Sequence, residues 1–164
     1  MTAANPTPPS APPAQGPITW SDTFLLGHAA MDATHREFVD AVAALQRASD
    51  DQLSACLDAF ATHAVAHFGD EQRWMDGTAF PAAQCHADEH AAVLASVREV
   101  QGLLSQGVSG QVARDLAQAL ADWFPGHADY MDAPLSHWLS QRSRGGAPVV
   151  LRRGVAQSTA PSAL

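Results

Sequence analysis

The chain is predicted to be all-α, an antiparallel up-down-up-down four-helix bundle, and three features of the sequence support this. Hydrophobic residues make up 46% of it and are mostly Ala, Leu and Val, which favours packed helices over a sheet. Apolar residues recur at helical spacing in four successive stretches. The segments between them are short, and short loops join antiparallel neighbours. A length of 164 residues fits one domain with a core.

Residues 1–17 are expected to form a disordered leader, because they are rich in Pro and lack apolar periodicity. They carry neither a basic residue nor the apolar run of a secretory signal, so a cytoplasmic location is expected. Helix 1 is predicted over residues 32–48. Phe38 and Val42 recur there at helical spacing, and His35 joins the same stripe.

Helices 2 and 3 are predicted from end signals as well as from apolar stripes. Residues 49–51 offer polar side chains as an N-cap for helix 2. This helix is expected to reach about Asp76 and to end at Gly77. Pro81 opens the next turn, and helix 3 is expected over about residues 82–106.

Helix 4 is predicted from about residue 109 to residue 141. Pro125 and Pro134 lie inside it, and each is expected to kink or split the helix because proline lacks the backbone N–H. The bundle domain is therefore expected over residues 18–141. Residues 142–164 form a tail with four of the nine basic residues and no acidic one. This tail is either a solubilising disordered end or a segment that folds back on the acidic body or docks a partner.

Charge and cysteine content narrow the function. The formal net charge is −8 and the sequence contains no Lys, so nucleic-acid binding is disfavoured. No stretch reaches the roughly 18 apolar residues of a membrane span, so no membrane partner is expected. Cys56 and Cys85 are expected to be free, partly buried thiols, because thiols stay reduced in the expected compartment. No CxxC pair is present, so metal binding by thiolates is not expected. The sequence identifies no protein partner.

Two short segments carry pairs of possible metal ligands. His67 and Glu71 lie four residues apart, and so do His86 and His90. Four residues of α-helix correspond to about 400° of rotation and about 6 Å of rise, so each pair projects from one face. Each of two helices can therefore direct two ligands towards the interior of a bundle.

These two segments and two others resemble the hemerythrins, specifically the single-domain bacterial members. The resemblance spans about residues 18–141 and rests on four motifs in order. The motifs are Asp32-Ala-Thr-His35, His67-Phe-Gly-Asp-Glu71 followed by Met75, His86-xxx-His90, and Trp123-xxx-His127-xxxx-Asp132. Each motif is weak alone, whereas seven ligand types in order across four helices are a specific signature.

The resemblance implies a non-haem di-iron centre that binds dioxygen reversibly, for carriage, storage or sensing, and is not an enzyme. One iron would have three histidines and the other two, so the second would keep an open position. Two carboxylates and an oxo or hydroxo group would bridge the irons. The implied ligands are His86, His90 and His127 for the first iron, His35 and His67 for the second, and Glu71 and Asp132 as bridges.

The chemistry of such a centre is coherent. Imidazole and carboxylate suit iron, and the carboxylates offset the charge of two buried cations. Reversible binding of dioxygen also needs a dry pocket. Candidates for its lining are Phe38, Phe68, Trp74, Leu94 and Trp123. The remaining histidines, His28, His63 and His137, are expected on the surface or beside the site, with His63 the nearest.

Helix 4 is where the geometry of the implied site is hardest to derive from the sequence. His127 and Asp132 are five residues apart, which places them about 140° apart around an ideal helix. Pro125 stands two residues before His127, where a continuous helix is usual in the family. Gln72 replaces the second acid that many members carry after the bridging glutamate, at a position outside the ligand set.

An enzymatic alternative, a di-iron oxidase, peroxidase or nitric-oxide-handling enzyme, would use a related metal site. Ferritin-like di-iron enzymes use Glu-x-x-His pairs, and this sequence has none. A phosphohydrolase of the His-Asp type would need a His-Asp dipeptide, which is also missing. Histidine-rich ligation favours reversible binding over turnover. A signalling role, in which the metal state reorders the Arg-containing tail, is compatible with oxygen binding.

Overall fold

The computed structural model describes residues 16–143, which form an antiparallel four-helix bundle. A 3-10 turn at Asp22–Phe24 precedes the first three rods, which are α1 (Ala29–Arg47), α2 (Leu53–Thr78) and α3 (Ala83–Ser105). Three consecutive segments form the fourth rod, namely α4 (Gln111–His127), a π-helical turn (Ala128–Asp132) and α5 (Ala133–Ser143). The predicted fold class is confirmed. The expected leader and tail fall almost entirely outside the described residues.

The first helix begins three residues earlier than predicted because His28 acts as its N-cap. The Nδ1 atom of His28 accepts a hydrogen bond from the backbone amide of Met31 at 3.3 Å. Asp32 lies inside the helix and binds the preceding segment instead, since its Oδ1 accepts from the Leu26 amide at 2.7 Å. These contacts fix the chain leading into α1.

The ends of α2 differ from both predicted signals. At its start, Gln52 occupies the N-cap position without a side-chain cap bond, so the polar side chains of residues 49–51 do not cap the helix. At its end, the helix runs through Gly77, and Ala79 takes the left-handed conformation with φ of 52°. The Phe80 amide then donates to the Met75 carbonyl at 3.0 Å, which closes the helix end.

Two hydrophobic clusters fill the bundle, and a layer of buried polar residues separates them along its axis. The larger cluster includes Phe38, Val42, Phe60, Phe68, Val97, Leu120 and Phe124. The smaller cluster consists of Met31, Met75, Phe80 and Leu135. On α1, His35 lies between Met31 of the smaller cluster and Phe38 of the larger one. The other rods repeat this order, so apolar side chains enclose the polar layer from both ends.

The two cysteines are free, as predicted, but they differ in exposure. Cys56 is half-buried in α2, whereas Cys85 is exposed in the first turn of α3 rather than partly buried. Between residues 16 and 143, no helix combines the length and the apolar content that crossing a membrane requires.

Candidate metal centre

The polar layer brings together all seven side chains predicted as metal ligands. Each is buried, with at most 5% of its surface exposed. They lie on all four rods: His35 on α1, His67 and Glu71 on α2, His86 and His90 on α3, and His127 and Asp132 on the fourth rod. Their ligand atoms form two overlapping groups that share Glu71. One group is Glu71, His86, His90, His127 and Asp132, and the other is His35, His67 and Glu71.

Glu71 turns its two carboxylate oxygens towards different sets of histidines. Its Oε1 lies 3.0 Å from Nε2 of His67 and 3.8 Å from Nε2 of His35. Its Oε2 lies 3.2 Å from Nε2 of His90 and 3.4 Å from Nε2 of His86. One oxygen therefore faces the histidines of α1 and α2, and the other faces those of α3.

Asp132 repeats this division from the opposite rod. Its Oδ2 lies 3.2 Å from Nε2 of His35. Its Oδ1 lies 3.1 Å from Nε2 of His86 and 3.4 Å from Nε2 of His127. Each carboxylate thus has one oxygen near histidines of α3 or the fourth rod and the other oxygen near histidines of α1 or α2, an arrangement that suits groups shared between two ions.

The short distances between side chains in the layer are better explained by shared metal ions than by hydrogen bonds between those side chains. Among residues 16–143, several of these buried atoms have no hydrogen-bond partner despite their short separations, including Nε2 of His35, Nε2 of His86 and both oxygens of Asp132. Nε2 of His90 lies 3.0 Å from Nε2 of His127. Two adjacent ligands of an octahedral ion with bonds of about 2.1 Å are also about 3 Å apart. The residues present therefore fit a metal centre.

The two buried carboxylates set the electrostatics of the metal-free layer. Burial lowers the pKa of His35 and of His86, but the adjacent carboxylates outweigh it and raise both pKa values to about 9. Burial raises the pKa of the Glu71 and Asp132 carboxyls, yet the surrounding histidines hold both pKa values below the usual range. Burial dominates at His90 and lowers its pKa. The layer therefore holds two anions that attract protons or metal ions.

The π-helical turn resolves the five-residue spacing of His127 and Asp132. In this turn the Ala133 amide donates to the Ala128 carbonyl, an i→i+5 bond in place of the i→i+4 bond of an α-helix. Residues five apart then lie one turn apart on the same face. Both ligands consequently face the interior, which an uninterrupted α-helix would not allow.

The two prolines flank this turn and do not end the rod. Pro125 lies in the last turn of α4, and Pro134 lies in the first turn of α5. The three segments follow one another without a gap, so the prolines do not split the rod; the hydrogen-bond pattern between them changes from α to π and back to α. A proline cannot donate the backbone hydrogen bond that a regular α-helix requires. The two prolines are therefore compatible with a rod whose α-helical pattern is interrupted between them.

Aromatic rings surround the ligand imidazoles. Phe68 and Trp123 were predicted to line the site, whereas Phe124 was not. The Phe68 ring stacks on His90 with centroids 3.8 Å apart, and the Trp123 ring stacks on His127 at 4.2 Å. Phe124, which the sequence analysis did not single out, lies 5.3 Å from His35. Its position three residues before His127 was the available clue.

The remaining lining candidates and the histidines outside the ligand set have other surroundings. Trp74 packs against His28 at 4.9 Å and against the smaller cluster, and its ring stacks on no ligand imidazole among residues 16–143. Leu94 is half-buried against the larger cluster. His63 lies beside the site, with its ring 5.5 Å from that of His67, whereas His137 is exposed.

A buried layer of five histidines and two carboxylates inside an antiparallel bundle defines a helical metal-binding protein. Comparison with known families makes this specific, because residues 26–139 match the Hemerythrin HHE cation binding domain. The chain therefore belongs to the hemerythrin family, as the motifs predicted. It is 40% identical over 125 residues to a bacteriohemerythrin of Ralstonia nicotianae, and the match covers 76% of this chain and 90% of that protein.

The fold also resembles a solved structure. The TM-score is 0.67 against a crystal structure of hemerythrin that carries one leucine-to-alanine substitution. The match covers 77% of this chain and 99% of the other, with 22% sequence identity. At this identity the likeness concerns the fold, and it supports the helix order derived above.

Proposed function

We propose that the chain binds dioxygen reversibly at a di-iron centre formed by the seven buried side chains. The observation that carries the proposal is the division of both carboxylates between the two histidine sets. Glu71 and Asp132 would hold both irons, His86, His90 and His127 would hold one of them, and His35 and His67 would hold the other. The iron with two histidines would be the one available to dioxygen.

The ligand set is suited to iron and to its charge. Mixed imidazole and carboxylate ligation accommodates iron in its common oxidation states. The negative charges of Glu71 and Asp132 offset two cations that would otherwise be costly to bury. When bound, the iron pair supplies the electron exchange that reversible dioxygen binding needs. The histidine-rich set distinguishes this centre from the glutamate-rich centres of oxidative di-iron enzymes.

The surrounding side chains keep the layer dry. Phe38 and Phe124 stack on each other with centroids 4.8 Å apart, and Phe68 covers His90. All three phenylalanines are at least 96% buried. Exclusion of water limits the proton supply that would turn reversible binding into irreversible oxidation. The curated relative named bacteriohemerythrin supports the same proposal, with storage, carriage or sensing as the physiological use.

A cycle of oxygenation tests this function. The chain is loaded with ferrous iron under anaerobic conditions, its iron is quantified, and dioxygen is added and removed repeatedly. We expect two irons per chain and a charge-transfer absorption that appears and disappears with dioxygen. Rapid oxidation with release of peroxide in the first cycle would overturn the proposal and favour the enzymatic alternative.

The ligand assignment is tested separately with a pair of histidine variants. His86→Ala removes a fully buried histidine of the layer, whereas His137→Ala removes an exposed histidine on α5. We expect the first variant to lose bound iron and absorption and the second to keep both. Full iron content and colour in His86→Ala would show that the assignment is wrong.

A further inference from the structure

A groove on the outer surface between α3 and α4 contains none of the seven proposed metal ligands. Its volume is about 460 Å³. Its walls are mainly apolar and include Ala92, Val93, Leu116, Ala119, Leu120 and Trp123. Because the Trp123 ring stacks on His127 at 4.2 Å, the groove lies directly outside the buried layer. Whatever covers it therefore covers this side of the site.

The rim of the groove is acidic. Asp88 is exposed and Glu89 is half-buried at the end of the groove near Cys85, and Glu89 accepts a hydrogen bond from Nε1 of Trp123 at 3.1 Å. The arginine ion pairs between residues 16 and 143 join Arg73 to Asp70 and Arg114 to Asp50, so they do not neutralise this rim.

The chain beyond the described residues starts near the same end of the bundle. The Trp138 side chain in α5 donates to the Thr78 carbonyl at 3.3 Å, which places α5 where α2 ends and α3 begins. Asp132 lies level with His86, since its Oδ1 is 3.1 Å from Nε2 of that histidine. From Ser143, the path back to the Cys85 end of the groove is therefore about 25 Å, taking 1.5 Å per helical residue and about 10 Å for one helix diameter. Eight extended residues span about 26 Å, so residues 144–151 are long enough for Leu151 to reach this end.

The residues that follow Ser143 match the groove in polarity and charge. Three consecutive apolar residues, Val149, Val150 and Leu151, are followed directly by Arg152 and Arg153. The apolar residues match the walls of the groove, and the arginines match its acidic rim. We propose that residues 149–153 of the same chain dock in the groove between α3 and α4. The proposal does not depend on the identity of the metal or on dioxygen binding.

The exposed thiol of Cys85 lies at the groove and reports on the docked segment. In a full-length Cys56→Ser background, Cys85 is the only thiol, so the rate of its modification by a small disulfide reagent measures how often the groove is open. When the effective concentration set by the tether is about ten times the dissociation constant of the segment, the segment covers the groove about 90% of the time. Releasing it then raises the rate about tenfold.

Two independent pairs of variants supply the test. Val149→Ser, Val150→Ser and Leu151→Ser are combined to weaken the segment, and Val155→Ser is the control beyond it. Ala119→Glu obstructs the groove at an exposed position, and Ala91→Glu is the control at an exposed position of α3 outside the groove. We expect both test variants to raise the rate about tenfold. Both controls should leave it unchanged, with the circular dichroism of all four variants as in the parent.

The proposal fails if the test variants react within twofold of the parent protein. It also fails if protection of Cys85 depends on protein concentration and light scattering shows a dimer, because the tail of a second copy would then fill the groove. A failure of either kind leaves the oxygenation cycle unaffected, so the two proposals are separable.

Discussion

Glu71 and Asp132 are the residues on which the buried layer depends most. Both are fully buried, and a buried carboxylate without compensation is strongly unfavourable. Their compensation is shared, because each faces imidazoles on different rods. Removing the charge of either one should therefore affect both halves of the site, whereas removing one histidine affects mainly its own half.

Substitution of Glu71 tests this shared role. Glu71→Gln keeps the shape of the side chain but removes the negative charge that would bridge two cations. We expect metal affinity to fall at least about tenfold, since even loss of an outer partner of a metal ligand has effects of 10- to 100-fold. Elemental analysis after dialysis measures the change. Glu99→Gln, at an exposed position of α3, is the control.

Parental metal content in Glu71→Gln would contradict the bridging assignment. A variant that fails to fold would be detected by circular dichroism. In that case Glu71→Asp, which keeps the charge but shortens the reach, provides the second measurement. We expect it to fold and to bind metal less tightly than the parent protein.

At the scale of the helical elements, the sequence predicts the ligands of α2 and α3 better than those of the fourth rod. The pairs His67–Glu71 and His86–His90 follow directly from α-helical geometry. The pair His127–Asp132 does not, because the inward position of Asp132 depends on the π turn. Pro125 and Pro134 signal an interruption of the helix, but the sequence alone does not show that the interruption is a π turn.

The ends of the helices are also hard to predict from local sequence alone. Gly77 is the residue that local propensity favours as the left-handed cap of α2, yet Ala79 adopts this conformation. Phe80 follows at once and packs against Trp138 of α5, with ring centroids 6.0 Å apart. Burial of Phe80 in the smaller cluster thus decides where α2 ends, and this contact lies 58 residues away in sequence.

Changes of chain length within the π turn test its role. A π turn is equivalent to one residue inserted into an α-helix, so deletion of exposed Tyr130 should restore an α-helical turn with His127 and Asp132 one turn apart. We expect this variant to keep its fold and most of its metal. Insertion of one Ala after Asp129 should instead rotate Asp132 by about 100° and release metal.

The outcome is read from metal content and far-ultraviolet circular dichroism. The two variants perturb the same exposed segment, so a general effect of altering chain length would appear in both. Equal loss of metal in both would contradict the view that the π turn acts as a removable insertion.

At the scale of the whole molecule, the two hydrophobic clusters and the polar layer make opposite contributions to stability. The clusters bury large apolar side chains at both ends of the layer and stabilise the bundle with or without metal. The layer itself is stable only when its two carboxylates are compensated. Protons on His35 and His86 do this in the metal-free chain, and metal ions would replace those protons on loading.

Because protons and metal ions compete in this way, the pH dependence of stability should reverse on metal loading. In the metal-free protein, His35 and His86 have pKa values of about 9, against 6.5 for an ordinary histidine. Between these values the folded state binds more protons than the unfolded state, so the free energy of unfolding falls as pH rises. The fall should be of the order of 3 kcal/mol for each of the two histidines from pH 6.5 to about 9.

The metal-loaded protein has no protons on these ligands to lose. Its histidines are deprotonated when coordinated and protonate only on unfolding, so its stability should rise as pH increases through 6.5 and then level off. Urea unfolding of both forms across this range measures the two slopes. His35→Ala should flatten the slope of the metal-free form, and His137→Ala, at an exposed position, should not. Parallel slopes in the two forms would mean that metal ions do not replace the protons of the buried layer.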